Sequence, residues 1–411
     1  MMYRIAQFTS ACCAIVVTAI PLSVSAAEQK NRPLTIVSDT GDAIARLLET
    51  QDRQQLEIKN LDQMIGQMIM VGFHGKTSRS VGTRRVIDML DSGQIGGVIL
   101  MQRNVSNRKN LLDLTAALHS TGAPLPPFIS IDQEGGAVQR LKRKQGFARI
   151  PSAGRMAQRY KPAEAEKIYD RLARQLETAG VNMNFGPVVD LNRNRRNPVI
   201  GRLRRSYGRT PQDVMPFARA FIKAHRRAGV MTAAKHFPGH GSSWADSHHR
   251  FVDLTKTWNR IELAPYRLLT EGEGRNGPDM VMIGHLYHPQ FSGKSGRIPA
   301  SLSKTAILHE LRGRLGFRGI VITDDMEMAA VKKRFSLKER AVRAVEAGND
   351  IVLFSDATTK GPGIVRAIHA HIKHAVLSGR IPLARIRGAY ARIKMAKARL
   401  RKRRREVQVR N

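Results

Sequence analysis

The chain has 411 residues, 42% of them hydrophobic and 25% charged, and its 69 Lys and Arg against 33 Asp and Glu give a formal net charge of +36. That apolar content is enough for a large core and excludes disorder along the whole length. Two adjacent cysteines, Cys12 and Cys13, exclude a disulfide scaffold, and 5% aromatic residues argue against a nucleic-acid reader built on base stacking.

Residues 1–26 carry Arg4, an apolar stretch from Ala11 to Leu22 and then the small residues Val24-Ser25-Ala26. This is the pattern of a secretory signal peptide, and the stretch falls short of the about 20 residues that span a bilayer. Cleavage near Ala26 removes both cysteines and puts the mature protein in the periplasm or outside the cell. Residues 27–60 are expected to form an arm and a helix, 61–400 a single domain and 401–411 a basic tail.

Short β-branched apolar runs then recur, and each reads as a buried strand. They are MIMVGF (69–73 at its core), GGVILM (96–101), PFISID (127–132), NFGPVVD (184–190), MTAAKHF (231–237), DMVMIGH (279–285), GIVITDD (319–325) and DIVLFS (350–355). Amphipathic segments of helical period lie between them, among them NRKNLLDLTAALHSTG, AEAEKIYDRLARQLETAG and PQDVMPFARAFIKAHRRAG. Several end in Gly, as helix C-termini do. Near-continuous apolar strands alternating with helices imply a parallel sheet covered on both faces. Eight such units predict an α/β fold, a single (β/α)8 TIM-type barrel, with an open doubly wound sheet as the rival. From Arg385 onward 12 Lys and Arg face one Glu. This segment reads as a solvated last helix with a frayed basic end. An acidic cell wall or anionic membrane surface suits it as a weak partner; nucleic acid does not suit an exported chain.

The unusual polar residues stand at the C-terminal ends of these runs: Asp132, Asp190, Lys235, His236, His285, Asp324 and Asp325. A barrel builds its active site on that face. The segment KHFPGHGSSWADSHH (235–249) holds His236, His240, His248, His249 and Asp246 in a loop, since Pro238, Gly239 and Gly241 exclude a helix. Its histidines admit a metal site, although the spacing fits one poorly. They also admit acid–base work, with the Asp246 carboxylate orienting the His248 ring. In GFRGIVITDDMEM (316–328), strand alternation sends one of Asp324 and Asp325 to the barrel mouth and the other to the outer wall. A carboxylate at the mouth acts as nucleophile, base or metal ligand, and a helix N-cap is the bland alternative. In ISIDQEGGAVQRL (129–141), Asp132 ends a strand, and Arg140 points back after the Gly135-Gly136 turn. Such a pair suits sugar hydroxyls or acidic groups.

Taken in order, LDQMIGQMIMVGF, GGVILMQRNV, IDQEGGAVQRL, NFGPVVDLN, KHFPGHGSSWADSHH and LGFRGIVITDDMEM resemble glycoside hydrolase family 3, specifically its β-N-acetylglucosaminidase branch. The likeness runs from about residue 60 to 395. It implies Asp324 as the catalytic nucleophile of a retaining mechanism, His248 as general acid/base and Asp246 as its dyad partner. It implies sugar contacts from Asp132, Arg140, Lys235 and His236, and from Arg205 as the arginine of a G-x-R-S-F-G segment. Here that segment reads GRLRRSYG (201–208), two residues longer, so Arg202 and Arg204 stay open for the role. Ala137, where an Arg is usual, and Glu327, where a small residue is common, also depart from the pattern.

The function expected is a retaining exo-β-N-acetylglucosaminidase, without metal or cofactor, that releases terminal GlcNAc from muropeptides or chito-oligosaccharides as a monomer. The carboxylate-plus-acid chemistry of retaining glycosidases agrees, with histidine replacing the usual second carboxylic acid. Phosphate in place of water in the second step stays open. A β-glucosidase of the same family, a metal-dependent barrel hydrolase and a catalytically silent wall-binding protein are the alternatives.

Overall fold

Each apolar run becomes a strand because both of its faces are buried. In chain order the strands are β1 (Ile69–Gly72), β2 (Gly97–Leu100), β3 (Phe128–Ile131), β4 (Gln133–Gly135), β5 (Val138–Gln139), β6 (Met183–Asn184) and β7 (Met231–Phe237). Then come β8 (Val252–Asp253), β9 (Met280–Ile283), β10 (Leu286–Tyr287), β11 (Ile320–Thr323) and β12 (Val352–Phe354). These come from a computed structural model that describes residues 60–408 apart from 272–276, 294–295, 359–360 and 362, with backbone alone over 401–408. The expected signal peptide and arm lie outside the described residues.

Eight strands form one parallel sheet in the order β11-β9-β7-β6-β3-β2-β1-β12. Its two ends meet through one parallel bridge, Ile322 with Ile351, where the Thr323 N–H donates to the Ile351 carbonyl at 3.1 Å. The ring so formed is the expected barrel. The fourth strand differs from its expected 184–190 span. Regular pairing stops at Asn184; beyond it β7 still donates to the Gly186 and Pro187 carbonyls, from the Ala233 and Lys235 N–H groups at 2.9 and 3.1 Å, and a lone bridge pairs Val188 with Lys235. Pro187 lies between and has no N–H to give a ladder.

Helices over Val81–Asp91, Arg108–His119, Pro162–Thr178, Pro211–Arg227, Leu337–Ala347 and Gly363–Leu377 cover the barrel, and Thr305–Arg314 winds as a π-helix. Their ends are coded locally. The Asn107 side chain accepts from the Asn110 N–H at 2.9 Å, Ser336 and Glu339 form a capping box, and Gly348 closes that helix at φ 116°. Among the described residues no helix is long and apolar enough to cross a membrane.

The last helix, Leu383–Gln408, runs unbroken past the expected boundary at 400 and is not solvated all round. Ile386, Ala389, Ile393 and Lys397 are fully buried along its inner face. Arg385 and Arg392 reach Asp350 at 3.1 and 2.8 Å, and Arg312 joins them at 2.6 Å. Lys397 Nζ plugs the barrel floor, donating to Gln67 Oε1 and the Gly96 carbonyl at 2.6 Å each, with the Phe128 ring 4.6 Å away. Acceptors and a ring face surround it in place of water.

Candidate active site

The β4–β5 hairpin builds the first part of the mouth. The side chain of buried Gln133 accepts from the Arg140 and Leu141 N–H groups at 2.7 and 3.0 Å, which folds the hairpin back over the barrel. The turn needs Gly135, at φ 104°, because a Cβ there would lie 2.3 Å from the Pro151 carbonyl. Asp132 and Glu134 thereby face Lys235, whose Nζ lies 2.7 Å from a carboxylate oxygen of each. Arg205 grips Glu134 through two bonds of 2.8 and 2.7 Å, and Arg140 lies 3.3 Å from Asp132. Burial raises both carboxyls, but the cations outweigh it. Lys235 and Arg140 hold Asp132 far below the usual range, and Arg205 with Lys235 brings Glu134 to about 2. Asp132, Glu134, Lys235 and Arg205 stay charged at neutral pH and, with Arg140, form a floor of fixed donors and acceptors.

Next to that floor, His236 Nδ1 donates to Asp190 Oδ2 at 2.7 Å, and Asp190 also accepts the backbone N–H groups of His236 and His240. Arg205 Nη2 lies 3.4 Å from His236 Nε2.

The Asp324–Asp325 pair splits as strand alternation predicts. Asp325 turns to the wall, where it accepts from the Ser355 N–H at 2.9 Å and from the Ser355 hydroxyl. Burial and the neighbouring Asp324 charge push Asp325 up to about 6 against those donors. Asp324 turns to the mouth, in the field of His236, His285 and His248. Burial raises its carboxyl too, but those imidazoles and the Asp325 N–H, 2.8 Å away, hold it below the ordinary value, so it is ionised at neutral pH. Beneath it His285 is locked. The Ser301 hydroxyl donates to Nδ1 at 2.7 Å, Nε2–H donates to the Asp325 carbonyl at 2.8 Å, and burial lowers the ring's basicity.

The loop after β7 carries the last group. Asp246 Oδ1 accepts both the His248 N–H at 2.8 Å and His248 Nδ1–H at 2.7 Å, while the His248 ring stays 57% exposed. This leaves Nε2 to meet a ligand. His240, by contrast, knits the loop together. Its ring contacts Ser243 Oγ at 2.9 Å and Ser247 Oγ at 3.2 Å, and burial drives it down to about 4, so it is neutral. His249 lies 3.7 Å from Asp246 and is almost fully exposed. Among the described residues no three His, Cys, Asp or Glu side chains converge as metal ligands would.

The sequence-derived residues therefore fall into three groups. Asp132, Arg140, Lys235, Arg205 and His236 share one bonded network, Asp324 stands beside it, and Asp246 with His248 forms a dyad on the loop above. Of the three candidate arginines only Arg205 enters the site; Arg202 and Arg204 are exposed on the two-residue insertion. Glu327, the unusual residue after the Asp pair, lies outside the network and pairs with Lys332 at 2.5 Å and Arg340 at 3.2 Å. Sequence reasoning missed Glu134 and gave Asp190 no role. Asp190 ends an apolar run and was visible as such, but the place of Glu134 depends on the hairpin fold.

The described barrel coincides with a family match. Residues 60–396 fit the glycosyl hydrolase family 3 N-terminal domain. The chain is 31% identical over 369 residues to β-hexosaminidase A of Pseudoalteromonas piscicida, covering 82% of this chain and 61% of that one. A family 3 β-N-acetylglucosaminidase structure from a Paenibacillus species superposes with TM-score 0.74 at 35% identity, over 82% of this chain and 62% of the other. The β-N-acetylhexosaminidase of Beutenbergia cavernae superposes with TM-score 0.71 at 30% identity, over 82% of this chain and 98% of its own. This chain thus spans less than two thirds of the first two proteins and nearly all of the third. The protein belongs to glycosyl hydrolase family 3, through that family's N-terminal barrel domain.

Proposed function

We propose that the protein is a retaining exo-β-N-acetylglucosaminidase that releases terminal GlcNAc from peptidoglycan fragments or chito-oligosaccharides. One observation carries the reading: an ionised Asp324 at the barrel mouth lies in the field of a histidine whose Nδ1 is held by Asp246 at 2.7 Å. Retaining hydrolysis needs a nucleophilic carboxylate and a group that first gives and then takes a proton. Asp324 attacks the anomeric carbon while His248 Nε2–H protonates the leaving oxygen, and a glycosyl ester forms on Asp324. His248 Nε2, now neutral, takes a proton from water, which attacks the same carbon and frees Asp324. Asp246 keeps the ring in one tautomer through both steps. Asp132, Arg140, Lys235, Arg205 and His236 bind the hydroxyls of the terminal sugar. Because His248 stands more than half exposed, its loop closes on the substrate to deliver the proton. The names of the relatives support an acetylamino sugar as substrate, and residues 1–26 support an exported location.

The test is hydrolysis of 4-nitrophenyl β-N-acetylglucosaminide beside the β-glucoside, by wild type, Asp324→Ala and His248→Ala. The expected result is release from the acetylamino sugar alone, nearly abolished by Asp324→Ala. With so good a leaving group, His248→Ala should slow mainly the second step, visible as a burst followed by a slow steady rate. Preference for the glucoside would overturn the substrate, and turnover by Asp324→Ala would overturn the nucleophile.

A further inference from the structure

Between Asp190 and Asp213 the chain carries seven arginines and no acidic residue. Arg205 is spent on Glu134 in the site. Arg193, Arg195, Arg196, Arg202 and Arg204 are all exposed on the loop that leaves the fourth barrel strand. Among the described residues no carboxylate pairs with any of the five. Some exposed arginines elsewhere on the barrel meet carboxylates, as Arg227 meets Glu166 and Asp170 at 2.6 Å each, while others, such as Arg84, Arg155 and Arg171, form no ion pair among the described residues. What sets this loop apart is density and place: five exposed arginines within twelve residues, with no acidic residue among them, beside the loop that bears Asp246 and His248.

This loop is fastened to the one that bears the dyad. The Asn194 N–H donates to the Gly241 carbonyl at 3.0 Å, Asn194 Nδ2 to the Ser243 carbonyl at 2.8 Å and Asn197 Nδ2 to the His240 carbonyl at 2.7 Å. The insertion folds out as a turn with Arg204 at φ 54°, a left-handed conformation that a side chain adopts only when its surroundings hold it. Five unpaired guanidinium groups on one pinned loop repel one another, and an anion relieves that repulsion while taking up their forked donors.

We propose that this arginine loop is a binding surface for a glycan chain bearing repeated negative charges, which runs over it on leaving the barrel mouth. The inference rests on the functional reading above. If His248 protonates the leaving oxygen, the rest of the chain departs on the side of His248, and the arginine loop is bonded to that side. A bilayer suits the surface less well, because a membrane lying flush on this face would cover the mouth.

The probe is a hyaluronan oligosaccharide with GlcNAc at its non-reducing end, which joins a terminal acetylamino sugar to one carboxylate in every disaccharide. A neutral chito-oligosaccharide of matching length is the comparison. One variant carries Arg193→Gln, Arg195→Gln, Arg196→Gln, Arg202→Gln and Arg204→Gln together, and a second carries Lys at the same five positions. At low salt the Gln variant is expected to lose about tenfold or more in kcat/KM on the hyaluronan oligosaccharide. It should stay within about twofold of wild type on the neutral chain, while the Lys variant keeps the preference and added salt erases it. Equal loss on both substrates would make the loop merely structural and overturn the proposal, as would no loss on either. So would a defect confined to binding of phosphatidylglycerol vesicles or of duplex DNA. If wild type cleaves neither substrate, the functional reading fails by itself. Anisotropy of fluorescein-labelled hyaluronan then still decides the surface, with weaker binding by the Gln variant supporting it and unchanged binding overturning it.

Discussion

Replacing Glu134 by Gln removes one negative charge from beneath two cations and changes almost no volume. Glu134 is 8% exposed and touches Arg205 at 2.8 and 2.7 Å and Lys235 at 2.7 Å. Burial raises its carboxyl, yet Arg205 and Lys235 bring it from the ordinary 4.5 to about 2. Each tenfold in proton affinity is worth about 1.4 kcal/mol, so the carboxylate contributes about 3 kcal/mol at neutral pH. Measurements on broken buried ion pairs, at about 3–5 kcal/mol, give the same order. The sign follows from linkage. The folded state releases this proton more readily than the unfolded chain, so the stability is present above the unfolded value and is lost as pH falls toward the folded one. Near pH 3 about 2 kcal/mol of it is already gone. Urea unfolding of wild type and Glu134→Gln, followed by circular dichroism, should therefore show a gap of about 3 kcal/mol at pH 7 that narrows to about 1 kcal/mol near pH 3. A gap that stays constant across that range would refute the reasoning, because the loss would then come from packing rather than from charge.

Other outcomes follow from the same contacts. Asp246→Ala leaves His248 Nδ1 without its acceptor and should lower kcat on chitobiose by about tenfold to a hundredfold, with KM little changed; a KM effect alone would assign Asp246 to binding. Gly241→Ala places a Cβ 1.6 Å from the Leu191 carbonyl, so the loop must move. Soluble, fully active Gly241→Ala enzyme would contradict the loop anchorage described above. Burial lowers Lys397 to about 7, so the folded state sheds that proton near neutrality while the unfolded chain keeps it up to 10.5. Wild type should gain thermal stability between pH 7 and pH 9.5, and Lys397→Met should flatten that gain. An equal rise in both proteins would mean that Gln67, the Gly96 carbonyl and the Phe128 ring hold the proton after all.

The barrel was legible because a strand buried on both faces must be apolar along its length, and such runs stand out between amphipathic helices. That Asp324 and Asp325 point to different sides was legible for an equally local reason, the two-residue period of a strand, which here carries on just past the end of β11. Where sequence reasoning stopped, the deciding contact is long-range. The resemblance favoured Arg205 but left Arg202 and Arg204 open; the partner that draws Arg205 into the site is Glu134, 71 residues earlier, delivered by a hairpin. His240 looked as chemical as His248 until the serines around it made it a strut. The basic last helix looked solvated because its buried cations answer groups as distant as Gln67, 330 residues away from Lys397.

Those buried cations bear on the order in which the protein can be finished. The ring closes where Ile322 pairs with Ile351, and Asp350 sits on that seam, accepting the Val321 N–H at 3.0 Å. Two of the three arginines that neutralise Asp350 come from the last helix. During synthesis, then, all eight staves exist before the hoop that binds them. Until Arg385 and Arg392 are made, Arg312 alone of the three cations answers Asp350. A chain truncated before Leu383 is therefore expected to be weakest at this join, which a lowered thermal stability would show.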